Sequence, residues 1–483
     1  MKYNHVLCLY PYLESSNSTM GFFPPTGLEY IAASLEGLVD KLTLIDLRQE
    51  EEFNDLVKLN EFISQEIDLV CISITWDNQF NEVCNLINKL NKDVPLIVGG
   101  QKATEDWEGV FSLCPEVDII VRGEGEKTIQ EIVKEKPKEE ILGISYRRNG
   151  EIVHNPNRPL FPVEDIPFPN RRLRRSQYRF SLNGRKITAT SFDTVLSARG
   201  CPFQCKFCTF TINPLGQKRD YSARSPKSVI EELKNISADI ILFSDDNFFT
   251  DIKRSEEICD LIIEHKINKR FIAQTRLEIA KYPHILEKAV GAGFKVLLTG
   301  IESPHNRILE QLNKGFTQEE IRSSFKVIKK YDMIIHGYFI FGNITETEEE
   351  MLYISEFAKE IQLDAITLNK LRIEKYSPLR KLAQETLGYH ITDSGALFSD
   401  TYSHADLKKI GKKLRFSFYT PQRFMKLFIK CIRIKLFTKK EIVLLLISLP
   451  TVIYALLKRD IKKKRLKETL WRLFSIKLKK TLS

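Results

Sequence analysis

The chain has 483 residues, 43% of them hydrophobic and 28% charged. At roughly 100 to 200 residues per domain that is room for two to four globular units, and the composition excludes a disordered or fibrous chain. The formal charge of +10 is concentrated at one end: from Lys426 to Ser483 there are 17 Lys and Arg against three acidic residues, a net of +14, which leaves −4 for residues 1–425. The N-terminal stretch MKYNHVLCLYPYLESS has no apolar run of signal-peptide length, and an odd number of Cys, nine, fits thiols or metal ligands in a reducing compartment better than a disulfide framework. A cytoplasmic protein is expected.

Residues 1–145 alternate short apolar runs (NHVLCLY, KLTLIDL, IDLVCISIT, PLIVGG, VDIIVRG) with helix-like stretches. Continuous apolar runs are the mark of buried parallel strands, so an α/β unit with a doubly wound parallel sheet is expected. Residues 146–192, rich in Pro and polar residues and without helical period, are expected to form a linker. A second alternating series over 193–370 has six strand signals separated by helices, which predicts a partial (β/α)6 barrel of the TIM type. The helical, increasingly basic region 371–483 completes the chain.

The sharpest local feature is SARGCPFQCKFCTF, in which Cys201, Cys205 and Cys208 follow the first barrel strand with spacing Cys-x-x-x-Cys-x-x-Cys. Three thiolates on one loop suit an iron-sulfur cluster with one iron left open to a substrate. The rivals are a zinc site of three Cys and one His, whose nearest downstream His is His265, and three core thiols, which the polar Gln204 and Lys206 oppose.

Spacing, position and barrel pattern together resemble the radical S-adenosylmethionine (radical SAM) superfamily, including its aromatic before the third Cys, here Phe207. The resemblance implies a 4Fe-4S cluster and SAM, with SAM held at the strand ends: Asp245, Asp246 and Asn247 in LFSDDNFF, Arg276 in QTRLE, Gly300 and Glu302 in LLTGIES. The competing reading of the Asp and Asn residues is a helix N-cap, and that of Arg276 and Glu302 a salt bridge across the barrel mouth. In GYFIFGNITETEEE, Gly342 is followed by Asn343 and Ile344, where the family usually has Leu, Pro and Gly before Glu and Thr, so the adenine-side loop departs from the pattern.

In the N-terminal unit the turns CISITWDN, IVGGQKAT and VRGEGEKT lie at strand C-termini, where open α/β sheets bind ligands. Beside the barrel this unit, with its opening PPTGLEYIAASLE, resembles the cobalamin-binding domain fused to many radical SAM enzymes. Cobalamin would then lie against Ser73, Thr75, Gly99, Gly100, Gly123, Glu124 and Gly125. No His lies between His5 and His154, so the resemblance implies cobalamin without a protein His ligand. The other six Cys sit mostly in apolar runs and are expected in cores.

In FMKLFIKCIRIKLF the cations Lys426, Lys430 and Arg433 recur at helical spacing, and KKKRLKETLWRLFSIKLKK repeats the scheme. These predict a membrane-surface element, or a helical cap on the barrel with a solvated basic face. Between them the apolar run Ile442 to Leu457, interrupted by Pro450, is short of the roughly 20 residues of a spanning helix. No nucleic-acid-binding barrel is appended, so nucleic acid is not expected. The resemblance implies a cobalamin-dependent enzyme, a C-methyltransferase acting on an unactivated carbon through a 5'-deoxyadenosyl radical and methylcobalamin. Its substrate would be a small molecule, a lipid-like molecule or a peptide, and its electron donor a flavodoxin or ferredoxin. The alternatives are radical cyclisation, rearrangement or peptide modification without methyl transfer, and a non-catalytic metal-binding protein at the membrane face.

Overall fold

The computed structural model describes residues 3–13, 23–77, 79–182, 185–208, 212–392, 394–444 and 447, with backbone alone over 180–182 and 185–189. Two seven-stranded sheets organise them. The first contains β1 (His5–Tyr10), β2 (Lys41–Asp46), β3 (Leu69–Ser73), β4 (Leu96–Gly99), β5 (Ile119–Val121), β6 (Ile144–Arg148) and β7 (Glu151–His154), in the order β2-β1-β3-β4-β5-β6-β7. The first five strands are parallel, and β6 and β7 add antiparallel edges. All six residues of β1 are buried, as in a strand covered on both faces. The order reverses direction at β1/β3, where the crossovers diverge and the strand C-termini open a crevice.

The second sheet runs β16-β15-β14-β13-β12-β9-β8. Its strands are β8 (Tyr178–Leu182), β9 (Arg185–Val195), β12 (Ile240–Phe243), β13 (Arg270–Thr275), β14 (Phe294–Glu302), β15 (Ile334–Phe341) and β16 (Ala365–Lys370), with the small ladder of β10 (Ala198–Arg199) and β11 (Ser222–Ala223) after β9. Six strands are parallel and alternate with helices, an open half of a β/α barrel, while β8 is an antiparallel edge. Outward side chains such as Phe243, Phe271, Phe294 and Phe339 form one core with the surrounding helices. Thr317 and Thr347 close capping boxes with Glu320 and Glu350, fixing two of those helix starts.

Two expectations are corrected. The linker placed over 146–192 is shorter, because β6 and β7 extend the first sheet to His154 and β8 and β9 begin the second at Tyr178. Nor is the remainder loose. Arg174 holds Glu29 of the first unit with two hydrogen bonds of 2.6 Å and Asp193 of β9 at 2.7 and 2.9 Å, and Arg171 holds Asp193 and Glu232. These arginines were read only as polar content; their buried ion pairs strap the two units together. The region after 371 also contains a hairpin, β17 (Tyr389–Ile391) and β18 (Leu397–Ser399), before the helices His404–Phe418 and Pro421–Arg433. The second basic segment, KKKRLKETLWRLFSIKLKK, and most of the apolar run before it lie outside the described residues. No helix among the described residues is long and apolar enough to cross a membrane.

Candidate active site

The cysteine loop follows β10 at the C-terminal end of the half barrel. Gly200 starts it with φ +84°, and a Cβ there would lie 2.5 Å from the Asp220 carbonyl oxygen, so only glycine fits. The Gly200 N–H donates to Asp246 at 2.8 Å, Lys206 N–H to the Leu312 carbonyl at 3.0 Å, and the Asn313 amide to the Gln204 carbonyl at 2.8 Å. The Ser377 hydroxyl donates to the Lys206 carbonyl at 2.7 Å. The loop is thus held by its backbone. Arg276 Nη1 lies 3.3 Å from Cys205 Sγ, and its guanidinium stacks 3.7 Å from the centre of the Phe203 ring. Burial pushes the Cys201 thiol up, and Arg276 opposes that shift, as a cation beside a metal-binding thiolate should.

Of the remaining Cys, five are buried in cores and Cys431 packs at the opposite end of the barrel, so three thiols and no fourth stand at the mouth. His265 is no zinc ligand for them. It ends the helix Ile252–Glu264, which returns from the mouth to the N-terminal end of β13. Among the described residues no three His, Cys, Asp or Glu converge as ligands of one metal ion. Three thiols on one backbone-pinned loop suit a cluster, where each thiolate takes its own iron.

The strand-end residues divide into struts and open groups. Asp245 is fully buried and accepts from Ser197 N–H at 2.6 Å, from the Ser197 hydroxyl and from Ala198 N–H at 3.0 Å. Its expected contact with SAM is therefore corrected: the carboxylate is spent on holding the β9–β10 turn. The helix-cap reading is corrected too, since Asp251 caps the next helix through Arg254 N–H. Asn247 is different: its Oδ1 is buried without a hydrogen-bond partner. Asp246, besides Gly200, faces Arg199 and Arg219 electrostatically. Phe207 packs against the cluster of Ile308, Leu312 and Ile340, as an anchor of the loop.

At the end of β14 the register shifts between Gly300 and Glu302, and Glu302 takes φ +71°. A left-handed non-glycine residue stores strain of about 1–3 kcal/mol, a cost usually kept for function. Its carboxylate pairs with buried Lys314 at 3.0 Å, and a Cβ on Gly300 would come within 2.6 Å of that carboxylate. Gly300 is the gap through which this pair crosses. Arg276 pairs with Glu278, two residues on, at 3.0 Å and donates to the Lys314 carbonyl at 2.6 Å, so Arg276 and Glu302 are each in a local salt bridge rather than in one across the barrel mouth. After β15 the missing Pro-Gly is replaced by a side-chain turn: Asn343 N–H and its amide donate to Glu346 at 2.9 and 3.0 Å. Asn343 Oδ1 and Glu346 Oε1 remain buried and unpartnered, and burial raises the Glu346 carboxyl to about 7. Orphaned acceptors thus stand at two strand ends, Asn247 after β12 and Asn343 with Glu346 after β15, and they fit the ammonium, amine and hydroxyl donors of SAM.

In the first unit a cavity of about 490 Å³ opens at the C-terminal ends of β1, β3, β4 and β5. Ser73, Thr75, Gly99, Gly100, Gly123, Glu124 and Gly125 all line it. Ser73 and Thr75 hydroxyls bond at 3.0 Å. Gly100 has φ +105° and a Cβ there would meet the Ile74 carbonyl at 2.6 Å, so the floor of the slot must be backbone. Glu124 Oε2 and Glu126 Oε2 are buried without partners, acceptors matched to the amide N–H groups of a corrin's rim. No His lines the cavity; His5 sits at the other end of β1, bonded to Thr43 at 2.8 Å.

Several residues here carry no sequence motif. Arg199, two positions before Cys201, lines the cavity and pairs with Glu126 at 2.5 Å and Glu124 at 3.6 Å, tying the slot to the cysteine loop. Tyr12 accepts from Thr75 and Trp76 N–H, setting half-exposed Trp76 at the cavity edge. Lys314 and Glu126 escaped for the same reason: a lone charge in a helix or loop gives no signal until folding buries it.

The family model for the radical SAM superfamily matches residues 195–358, and that for the B12 binding domain matches 17–133. An uncharacterized methyltransferase of Pyrococcus horikoshii is 31% identical over 380 residues, covering 75% of this chain and 80% of the relative. The anaerobic magnesium-protoporphyrin IX monomethyl ester cyclase of Rubrivivax gelatinosus is 25% identical over 375 residues, 74% of this chain and 65% of that one. The solved radical S-adenosylmethionine methyltransferase TsrM from Kitasatospora setae, with cobalamin and a 4Fe-4S cluster bound, superposes with a TM-score of 0.68 at 14% identity over 87% of this chain and 89% of that chain.

Proposed function

Because the chain belongs to the radical SAM superfamily, in the branch that carries an N-terminal B12 binding domain, we propose that this radical SAM methyltransferase methylates an unactivated carbon of a small molecule. The observation that carries the reading is the neighbourhood of two cofactor cradles. A glycine-floored cavity and a three-cysteine loop open at the C-terminal ends of adjoining sheets, with Arg199 spanning the wall between them. When bound, the cluster supplies the electron that cleaves SAM to methionine and a 5'-deoxyadenosyl radical, and cobalamin carries the methyl group.

The chain's own residues do the positioning. Cys201, Cys205 and Cys208 hold the cluster, with Arg276 beside Cys205. Asp246 and Asn247 receive the SAM ammonium, and the Asn343–Glu346 turn receives donors on the adenosine side. Ser73, Thr75, Gly99, Gly100, Gly123, Glu124 and Gly125 hold cobalamin. The electron donor is a flavodoxin or ferredoxin, and the basic tail brings the enzyme to the cytoplasmic membrane face. A ring-forming reaction without methyl transfer is the second reading, supported by the Rubrivivax relative's name. Turnover separates the two. Anaerobically reconstituted enzyme should form S-adenosylhomocysteine together with 5'-deoxyadenosine, and 5'-deoxyadenosine alone would sink methyl transfer.

A further inference from the structure

The helix Pro421–Arg433 lies across the N-terminal end of the half barrel, opposite the cysteine loop. Leu427 and Cys431 face inward, and with Ile434 and Leu436 they pack on Ile240, Val296 and Ile334 at the starts of the strands. Lys426 stands exposed, but the other two cations expected on a solvated basic face are engaged: Lys430 pairs with Asp364 and Arg433 with Asp332, and Arg423 donates to the Leu363 carbonyl. The side turned to solvent is apolar. Phe424, Met425, Phe428, Ile429 and Ile432 are 56, 58, 37, 56 and 42% exposed, and no residue of this helix is buried. Positions 424, 425, 428, 429 and 432 share one face at helical spacing. A helix that pairs Lys430 and Arg433 with its own protein and shows aromatic and aliphatic side chains outward beside Lys426 is arranged for a partner.

We propose that this face docks on an anionic lipid bilayer, a placement that rests on the membrane reading of the tail above and names the surface that inserts. Two observations select lipid over the other occupants. Downstream, residues 458–480 carry eleven Lys and Arg against two acidic residues. Apolar insertion beside a polybasic segment is the two-signal arrangement of peripheral membrane proteins, whereas a second copy would bring two such segments together. The apolar run that starts at Ile442 also begins exposed, with Val443 at 53% and Ile447 at 68%, a second apolar surface on the same C-terminal segment. The placement has a consequence for chemistry. Val296 to Glu302 is seven residues of β14, six strand steps or about 20 Å, so the cofactor mouth faces away from the bilayer. A lipid-like substrate would have to leave the membrane to react.

The test uses full-length reconstituted protein and vesicles of phosphatidylcholine with or without phosphatidylglycerol. Wild type should co-sediment with the anionic vesicles, and the Phe428→Ser/Ile429→Ser double variant should lose about tenfold or more of that binding while keeping its cluster and cobalamin absorbance. In an Ile429→Trp variant, the added indole emission should shift to the blue with anionic vesicles and be quenched by brominated lipid. If neither protein sediments, this inference and the tail reading both fall. If wild type and double variant sediment alike, or the added indole ignores the vesicles, the tail reading survives and the docking face is wrong. A dimer that the double variant breaks would assign the face to a second copy and overturn the proposal.

Discussion

The two ends of the half barrel are built from the same strands and solve opposite problems. At the N-terminal end Glu441 accepts from Arg270 at 2.7 and 3.0 Å, from Thr190 at 2.7 Å and from Thr438 N–H, beside an apolar plug of Ile240, Ile334, Ile434 and Leu436. At the C-terminal end Asn247, Asn343 and Glu346 keep buried oxygens without donors, and Glu302 holds a left-handed backbone. A buried polar atom left unpaired costs about 1–3 kcal/mol. Such a cost is tolerable where a ligand supplies the missing partner, as the proposed cofactors would at the mouth, whereas the base pairs its carboxylate within the protein.

The sharpest break in that contrast is Cys205→Ala. It should abolish cluster uptake and 5'-deoxyadenosine formation outright, while changing unfolding free energy by no more than about 1 kcal/mol. Iron and sulfide content after anaerobic reconstitution measures the first, and a denaturant titration the second. Asp245→Ala tests the converse, a mouth residue that behaves like a base residue. Removing the acceptor of three buried donors should cost about 3 kcal/mol or more. An unchanged midpoint would return Asp245 to the SAM site.

Glu441→Gln acts at the base alone and should cost about 2 kcal/mol with cofactor content intact. Burial by itself would raise this carboxyl, but Arg270 and the Thr438 and Thr190 hydrogen bonds outweigh it and hold it at about 2 against an ordinary 4.5. Its stabilisation is thus present above pH 4.5 and lost as pH falls toward 2, so the variant should show a flatter acid limb in its stability profile. At the mouth, Asn247→Ala removes an orphan. Stability should stay within about 1 kcal/mol while SAM affinity of the reconstituted enzyme drops about tenfold by calorimetry. If stability falls instead, Asn247 belongs with the struts.

Much of this contrast was legible in the residues. Continuous apolar runs marked the buried parallel strands, and the Cys spacing, its place after a strand and the glycine turns at strand ends picked out the loop at the barrel mouth and the cavity of the first unit. What escaped were residues whose role exists only between elements. Arg199 and Glu126 are 73 positions apart in the chain, Arg174 and Glu29 are 145 apart, and neither pair has a periodic or motif signal. Asp245 was visible but misread, since composition cannot tell a carboxylate aimed at a ligand from one turned back on its own loop. The helix Pro421–Arg433 was misread for a related reason. Cations at helical spacing suggest a basic outer face, but Asp364, distant in sequence, draws Lys430 onto the barrel, Arg433 pairs with Asp332 at the surface, and an apolar side stays exposed beside Lys426.

The smallest expected effect lies between the two cradles, where neither the stability logic of the base nor the ligand logic of the mouth applies. Glu105, on the first unit, faces Glu374, just beyond β16; burial first and then Glu374 raise the Glu105 carboxyl to about 7, with Lys102 and Arg372 pulling the other way. Asp77 bridges those two cations at 2.9 and 2.6 Å and Asp106 pairs with Lys102 at 3.1 Å, so four carboxylates and two cations meet at the boundary. A carboxyl raised above its ordinary 4.5 favours the closed interface when protonated. Its contribution is whole below pH 4.5 and disappears as pH rises through 7. Because Glu105 is half-buried, the change should be below about 1 kcal/mol. Amide exchange of the helix Gln101–Glu105 should therefore speed up relative to the barrel core between pH 4.5 and 7, beyond the intrinsic pH dependence of exchange, and Glu105→Gln should flatten that excess. If the excess persists in the variant, the boundary is held by the Asp77 bridge alone and the carboxyl pair is a bystander.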